Sequence, residues 1–116
     1  MKILKNKPVR TFNVGLDQSI TIKHTCSIEL DHNEQITFLN ESKDEYDVVR
    51  KSWGFYATPS LNGRLINNNF KSALVKNEKK KIYIMIVEKN KIEDFYNYLK
   101  KEKNELIEWL DEKEID

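Results

Sequence analysis

Strict alternation of apolar and polar side chains over residues 18–30, QSITIKHTCSIEL, constrains the fold of this chain more than any other feature. A period of two with many β-branched residues predicts a half-buried strand, because successive side chains of a strand point to opposite faces. The next segments, DHNE and QITFLNE, predict a turn and a second strand that pairs with the first as a hairpin. The residues on the predicted inward face are Ile20, Ile22, His24, Cys26, Ile28 and Leu30.

Three later segments also predict strands. YDVVRKSWGFYA is expected to form one bent strand or two short ones, with Gly54 at a bulge or at a close backbone approach. KSALVK and KIYIMIVE predict two strands joined by a polar turn. Because the second of these is apolar on both faces, it predicts a central strand that is covered on each side.

Two helices are predicted. In NKIEDFYNYLKK an apolar stripe recurs at helical spacing, and Asn90 with Glu93 three residues later resembles a capping box. Thr58 followed by Pro59 predicts the start of a short helix over residues 59–67. Residues 104–112 fit either a helix or an edge strand.

These elements predict one α+β domain over residues 1–116. Its antiparallel sheet, open or roll-like, would carry one C-terminal helix packed on it and a short helix after Pro59. Residues 1–12 contain four basic residues and no acid, and they predict a basic N-terminal arm. The whole chain balances 20 basic against 19 acidic residues, so a nucleic acid is not an expected partner.

Composition also indicates the cellular compartment. A single cysteine, Cys26, excludes an internal disulfide. No apolar segment is long enough to cross a bilayer, and the first residues lack the apolar region of a signal peptide. We therefore expect a cytoplasmic protein without a membrane span.

No sequence motif of high specificity for catalysis or metal binding is present, since the chain has no Walker loop, GxGxxG or HExxH. His24 and Cys26 share one strand face, but without two further ligands we expect a core cysteine and a hydrogen-bonded histidine, with no metal or cofactor. His24 is a weak candidate for an acid or base, which keeps an enzyme open as an alternative.

The window RKSWGFYATPSLNGRL, residues 50–65, gathers residue types that are scarce elsewhere. It contains two of the three glycines, one of the two prolines, one of the two tryptophans and two of the three arginines. We hypothesise that a ligand meets the backbone here, with an anion at the helix start, arginine forks and a stacking wall of aromatic rings. The predicted ligand-binding residues are Arg50, Trp53, Tyr56, Ser60, Asn62 and Arg64.

A purely structural role for the same window is the alternative. Trp53 and Phe55 would then lie in the core, and Gly54, Pro59 and Gly63 would shape turns. Arg64 would pair with an acid such as Asp47. Gly63 slightly favours an unusual backbone conformation at this position, because glycine inside an ordinary helix costs about 1 kcal/mol relative to alanine.

Residues 45–112 resemble a group of small, uncharacterised bacterial proteins. The resemblance is carried by EYDVVRKSWGFYATPSLNGRL, FKSALVKN, KIYIMIVE and YLKKEKNELIEWLDE, and its most distinctive part is WGFYATPSLNGRL. Proteins of this group are associated with gene clusters for surface polysaccharide and glycan biosynthesis, alongside methyltransferases and glycosyltransferases. The resemblance assigns no catalytic residues, and it implies a cytoplasmic protein near nucleotide-sugar chemistry.

Together these features favour a small binding or accessory protein in bacterial surface-glycan biosynthesis. Its expected partner is an anionic small molecule, such as a sugar phosphate or nucleotide-sugar, or else an enzyme of glycan assembly. One alternative is a small enzyme that acts on a sugar nucleotide through His24, and a second is a nucleic-acid-binding module. The apolar sheet on so short a chain is also compatible with a homodimer.

Overall fold

The alternating segment forms the predicted strand, but its partner strand is a different one. In the computed structural model, which describes residues 1–116, this strand is β2, and it pairs antiparallel with β1 and not with the strand that follows it. Eight strands and two α-helices follow one another along the chain. Their bounds are β1 Lys2–Val14, β2 Ile20–Glu29, β3 Gln35–Leu39, β4 Glu45–Lys51, β5 Gly54–Ala57, α1 Arg64–Asn67, β6 Phe70–Lys76, β7 Ile82–Glu88, α2 Ile92–Lys101 and β8 Glu105–Trp109.

The strands form three sheets with the orders β1-β2, β3-β4-β5 and β7-β6-β8. With two short α-helices and two single 3₁₀ turns, at Lys89–Lys91 and Leu110–Glu112, the fold is α+β, as predicted. By its contacts the chain divides into two compact units. The first comprises residues 1–37 and 47–57, and the second comprises residues 38–46 and 58–116.

The first unit contains the β1-β2 ribbon. Residues 2–12 of the predicted basic arm belong to strand β1, in which residues 2–5 and 10–14 pair with β2. The pairing register shifts between Lys5 and Arg10, on either side of Pro8, which has no N–H to donate to the ladder. Few apolar side chains in this unit are deeply buried; Leu30 and Val49 are the two that are.

The second unit contains the larger apolar core. Ala73 and Val75 of β6 are fully buried and lie with Leu99 of α2 in one cluster. The side chains packed against this cluster are Met85, Phe95, Leu106 and Trp109. α2 therefore covers one face of the β7-β6-β8 sheet, as the apolar stripe of its sequence predicted. Its predicted capping box is wrong, since Lys91 occupies the N-cap position and no side chain caps the helix.

Strand order in this sheet corrects a second prediction. The central strand is β6, whereas β7, predicted to be central from its apolar sequence, lies at the edge. The ambiguous segment 104–112 forms the opposite edge strand β8 followed by a 3₁₀ turn. An apolar run indicates that a strand can be buried on both faces, but not that other elements cover it.

A buried ion pair fixes the chain after β8 to β6. The Asp111 carboxylate accepts hydrogen bonds from the Lys71 ammonium at 2.8 Å and from the Ser72 backbone N–H at 2.8 Å. Burial alone raises the pKa of Asp111, but these donors outweigh it and hold the pKa below its usual value. The Lys71 ammonium also lies 4.8 Å from the centre of the Trp109 ring. No helix of the structure is both long and apolar enough to cross a lipid bilayer.

Candidate functional site

The first half of the scarce-residue window forms a tight hairpin between β4 and β5. Arg50 pairs with Phe55 and Lys51 pairs with Gly54, so Ser52 and Trp53 form a two-residue turn. Gly54 has a φ of +148°, a conformation that disfavours residues with a side chain, although a Cβ added there would meet no atom within 4 Å. The glycine is therefore required by the turn, and the predicted close backbone approach at this position is wrong.

Three aromatic side chains of this hairpin face solvent. Trp53 is 69% exposed, Phe55 62% and Tyr56 46%. The structural alternative, which places Trp53 and Phe55 in the core, is therefore wrong. Aromatic rings contribute a large part of the energy of both cores and interfaces, so three exposed rings on one hairpin mark a candidate contact surface. We call Arg50, Trp53, Phe55 and Tyr56 the aromatic hairpin.

Ring contacts organise the aromatic hairpin before any partner binds. The Trp53 and Tyr56 rings are stacked, with centroids 5.9 Å apart and planes 19° from parallel. On the paired strand, the Arg50 guanidinium lies 5.4 Å from the centre of the Phe55 ring and donates a long hydrogen bond of 3.5 Å to the Gly54 carbonyl. These contacts restrict the side chains, so less rotamer freedom is lost when a partner binds.

The second half of the window does not form the predicted helix start. α1 begins at Arg64, five residues after Pro59, and has only four residues. The Ser60 hydroxyl, and not that of Thr58, accepts the Arg64 backbone N–H at 3.0 Å. The Arg64 guanidinium donates to the Thr58 hydroxyl at 2.7 Å. The anion site predicted at the start of this helix therefore lacks the helix N-terminus on which it depended.

The turn before α1 explains Gly63. The Ser60 carbonyl accepts the N–H groups of Gly63 at 3.2 Å and Leu65 at 3.0 Å, which folds the chain back over the Ser60 side chain. A Cβ added to Gly63 would lie 2.6 Å from the Ser60 hydroxyl oxygen. The glycine thus leaves room for the hydroxyl that accepts the Arg64 N–H.

The six predicted ligand-binding residues fall in both compact units. Arg50, Trp53 and Tyr56 belong to the first, and Ser60, Asn62 and Arg64 belong to the second. Within the first unit the structure brings Trp53 and Tyr56 together. Within the second unit it joins Ser60 to Arg64, while Asn62 lies in the exposed turn between them.

His24 and Cys26 lie half-buried on β2, opposite Arg10 and Lys5 of β1. The His24 Nδ1 atom is buried without a hydrogen-bond partner, whereas its backbone carbonyl accepts the Asn6 amide at 2.8 Å. No group of three or more His, Cys, Asp and Glu side chains in the structure is placed to hold a metal ion. The role of His24 as an acid or base stays a prediction, since no carboxylate is seen to orient its ring.

Sequence reasoning missed a polar cleft of about 600 Å³ in the second unit. Its walls are the tip of the β3-β4 hairpin and the chain that follows β7, with Lys43, Glu88 and Lys91 among the lining residues. The Asn40 amide donates to Asp44 at 3.0 Å and to Glu88 at 2.9 Å, which anchors the tip. The sequence signal was weak, because NESKDE is an ordinary polar turn.

The carboxylate of Asp44 completes this network. Asn69, two residues after α1, donates to it at 3.1 Å. The hydrogen bonds from Asn40 and Asn69 hold the pKa of Asp44 below its usual value. The carboxylate is therefore ionised at neutral pH. Because Asn40 and Asn69 donate to it, it holds the tip of the β3-β4 hairpin in place.

No protein-family model, curated protein or solved structure matches this chain. The association of residues 45–112 with glycan gene clusters therefore stays a prediction from the sequence.

Proposed function

We propose that this protein is a small binding or accessory protein of bacterial surface-glycan biosynthesis and that the aromatic hairpin is its contact surface for a partner enzyme. The observation that carries the binding role is the exposure of Trp53, Phe55 and Tyr56 on one tight hairpin. The biosynthetic context rests on the resemblance of the sequence. A protein partner is favoured over a small anion because the predicted anion site has lost its helix N-terminus.

The residue types of the hairpin support this choice. Tryptophan, tyrosine and arginine are the residues most enriched among those that dominate the energy of protein interfaces. Trp53 and Tyr56 are stacked, and Arg50 is placed over Phe55, so the surface is ordered in advance. A rigid aromatic surface loses little conformational entropy when it is buried against a partner.

A nucleotide-sugar is the second candidate, and the Trp53–Tyr56 stack favours it. Two nearly parallel rings present a flat apolar face to which a base or sugar ring can stack, and the base contribution is about 1–3 kcal/mol for an aromatic platform. The Arg50 guanidinium, on the same hairpin, is suited to a phosphate. This candidate keeps the same contact residues and changes only the chemistry of the partner.

A comparison of purified complexes tests the protein partner. Tagged wild-type protein, Trp53→Ala and Tyr98→Ala are expressed in the native host, and the co-purifying proteins are quantified by mass spectrometry. Tyr98, an aromatic residue of α2 that is 42% exposed, serves as the matched control. We expect a glycan-biosynthesis enzyme that Trp53→Ala loses and Tyr98→Ala retains. Identical sets of captured proteins for all three would contradict the proposal.

Fluorescence titration with UDP-glucose and glucose 1-phosphate tests the second candidate. Stacking on Trp53 should change the emission of wild-type protein, and Trp53→Phe should remove the signal while keeping a stacking ring. Thermal stability with the same ligands gives an independent readout, because a ligand of the folded state raises the apparent stability. Unchanged emission and an unchanged melting temperature at saturating ligand would exclude a nucleotide-sugar.

A further inference from the structure

The β7 edge of the sheet in the second unit is apolar, extended and unpaired. Ile82 is 64% exposed, Tyr83 47% and Ile84 66%. β7 pairs with β6 through seven consecutive residue pairs without a register shift, so its other side presents a regular row of N–H and C=O groups. Such an edge is a template for pairing with another strand.

The opposite edge of the same sheet is protected, so β7 is the edge of this sheet that is open to pairing. β8 carries two charged residues, Glu105 and Glu108, within five residues. Its register with β6 is also irregular: Leu74 pairs with Glu108 and Val75 with Leu106, which leaves Ile107 as an extra residue. Charges and bulges are the features by which natural sheets prevent edge pairing. Residues 82–87 of β7 contain no charge, proline or bulge.

We propose that β7 pairs antiparallel with β7 of a second copy of this chain, joining two three-stranded sheets into one of six strands. A two-fold axis places one residue of the strand opposite its own copy, and the geometry assigns this position to Ile84. Ile82 then lies opposite Ile86, and Tyr83 lies opposite Met85. The most exposed apolar side chains are thereby covered by apolar neighbours.

Charge selects Ile84 as the central residue. With Ile84 at the axis, Lys80 in the turn before β7 comes beside Glu88 of the second copy, and Lys79 comes beside Lys89, at both ends of the pair. A shift of the centre to Met85 would place Lys81 opposite Lys89 and Lys79 opposite Lys91, and a shift to Tyr83 would place Glu78 opposite Glu88. Neither shift forms a pair of opposite charges, so the Ile84 register is the most favourable of the three. Like charges that face each other across a pair of strands are destabilising.

This pairing closes on itself, since each copy contributes the one unprotected edge of its β7-β6-β8 sheet and the protected β8 edges end the joined sheet. The proposal does not depend on the aromatic hairpin, which belongs to the first unit. Failure of either proposal therefore leaves the other intact.

Molar mass in solution is the first test. Sedimentation equilibrium of the wild-type chain, 13.8 kDa, should give twice this mass. Ile84→Lys should give a monomer, because it brings two ammonium groups together at the axis. Ile107→Lys, a matched change on the opposite edge at a residue that is 45% exposed, should leave the dimer intact. A monomeric wild type, or a dimer that Ile84→Lys does not dissociate, would overturn the proposal.

Disulfide trapping tests the register and does not require a charged variant to fold. In a Cys26→Ser background, Ile84→Cys places two thiols on directly opposed residues, whose Cα atoms lie about 4.5–5.5 Å apart, within disulfide range. In the Ile82→Cys variant the two cysteines are offset by four residues along the paired strands, so their Cα atoms lie about 13 Å apart. With oxidised glutathione as oxidant, the first variant should form a covalent dimer and the second should not. Equal cross-linking of both, or of neither, would refute the assigned axis.

Discussion

Gly63→Ala gives a sharp test of the turn that precedes α1. The added Cβ would lie 2.6 Å from the Ser60 hydroxyl oxygen, so the hydroxyl must rotate away. Rotation breaks the 3.0 Å hydrogen bond from the Arg64 backbone N–H. Loss of one such hydrogen bond costs about 1 kcal/mol.

A double-mutant cycle with Ser60→Ala isolates this contact. Any cost of placing alanine at the backbone conformation of residue 63 occurs with and without the Ser60 hydroxyl, and it cancels in the cycle. The remaining Ser60 Cβ would lie 3.8 Å from the new methyl group, an ordinary contact. We therefore expect Gly63→Ala to be about 1 kcal/mol more destabilising in the wild type than in Ser60→Ala.

Urea denaturation followed by circular dichroism measures the four free energies of unfolding. The slope of each transition should be the same for all variants, since the surface exposed on unfolding does not change. Additive effects, within about 0.3–0.5 kcal/mol, would show that Gly63 and Ser60 do not interact and would refute the explanation of Gly63.

Three further outcomes follow from the described contacts. Asp111→Asn should destabilise the protein by about 2–3 kcal/mol in urea denaturation, because the half-buried Lys71 ammonium would keep only its ion pair with the exposed Glu112. The control Glu112→Gln should cost less than about 1 kcal/mol. Gly54→Ala should cost about 1–3 kcal/mol, since its φ of +148° strains any side chain, and a neutral result would contradict the turn geometry. The free energy of unfolding should fall as the pH drops below about 4, because the pKa values of Asp44 and Asp111 lie below their usual 3.8 in the folded chain and the unfolded chain binds these protons first. A flat acid profile, measured by urea denaturation at each pH, would contradict the assigned hydrogen bonds.

Local periodicity predicted the elements that depend on nearby residues. The alternation around His24 and the stripe ending at Leu99 gave β2 and α2. In β2 the predicted inward face is only partly covered: Ile20, His24 and Cys26 are half-buried, whereas Ile22 and Ile28 are exposed. Pairing partners were harder to predict. β2 could pair equally well with a strand on either side of it in sequence, and residues 1–12 carry enough charge to resemble a solvated arm.

The site was predicted in part. The window 50–65 contains the exposed aromatic hairpin, but sequence cannot distinguish an exposed Trp53 from a buried one, because both fit a strand or a turn. The pattern Thr58-Pro59 is compatible with a helix start. In the structure, however, the Ser60 hydroxyl accepts the Arg64 backbone N–H, and the helix begins only at Arg64. The polar cleft at residues 39–43 depends on contacts between distant segments, which no local pattern encodes.

The affinity of the captured partner enzyme for single-site variants tests the binding role of the aromatic hairpin most directly. Trp53 is 69% exposed, so Trp53→Ala should leave the melting temperature nearly unchanged. Truncation of a residue that dominates an interface costs at least about 2 kcal/mol, which is a loss of roughly 30-fold in affinity. Isothermal titration should show this loss for Trp53→Ala and less than a twofold change for Tyr98→Ala. Equal affinities for the two variants would contradict the proposal that the aromatic hairpin is the contact surface.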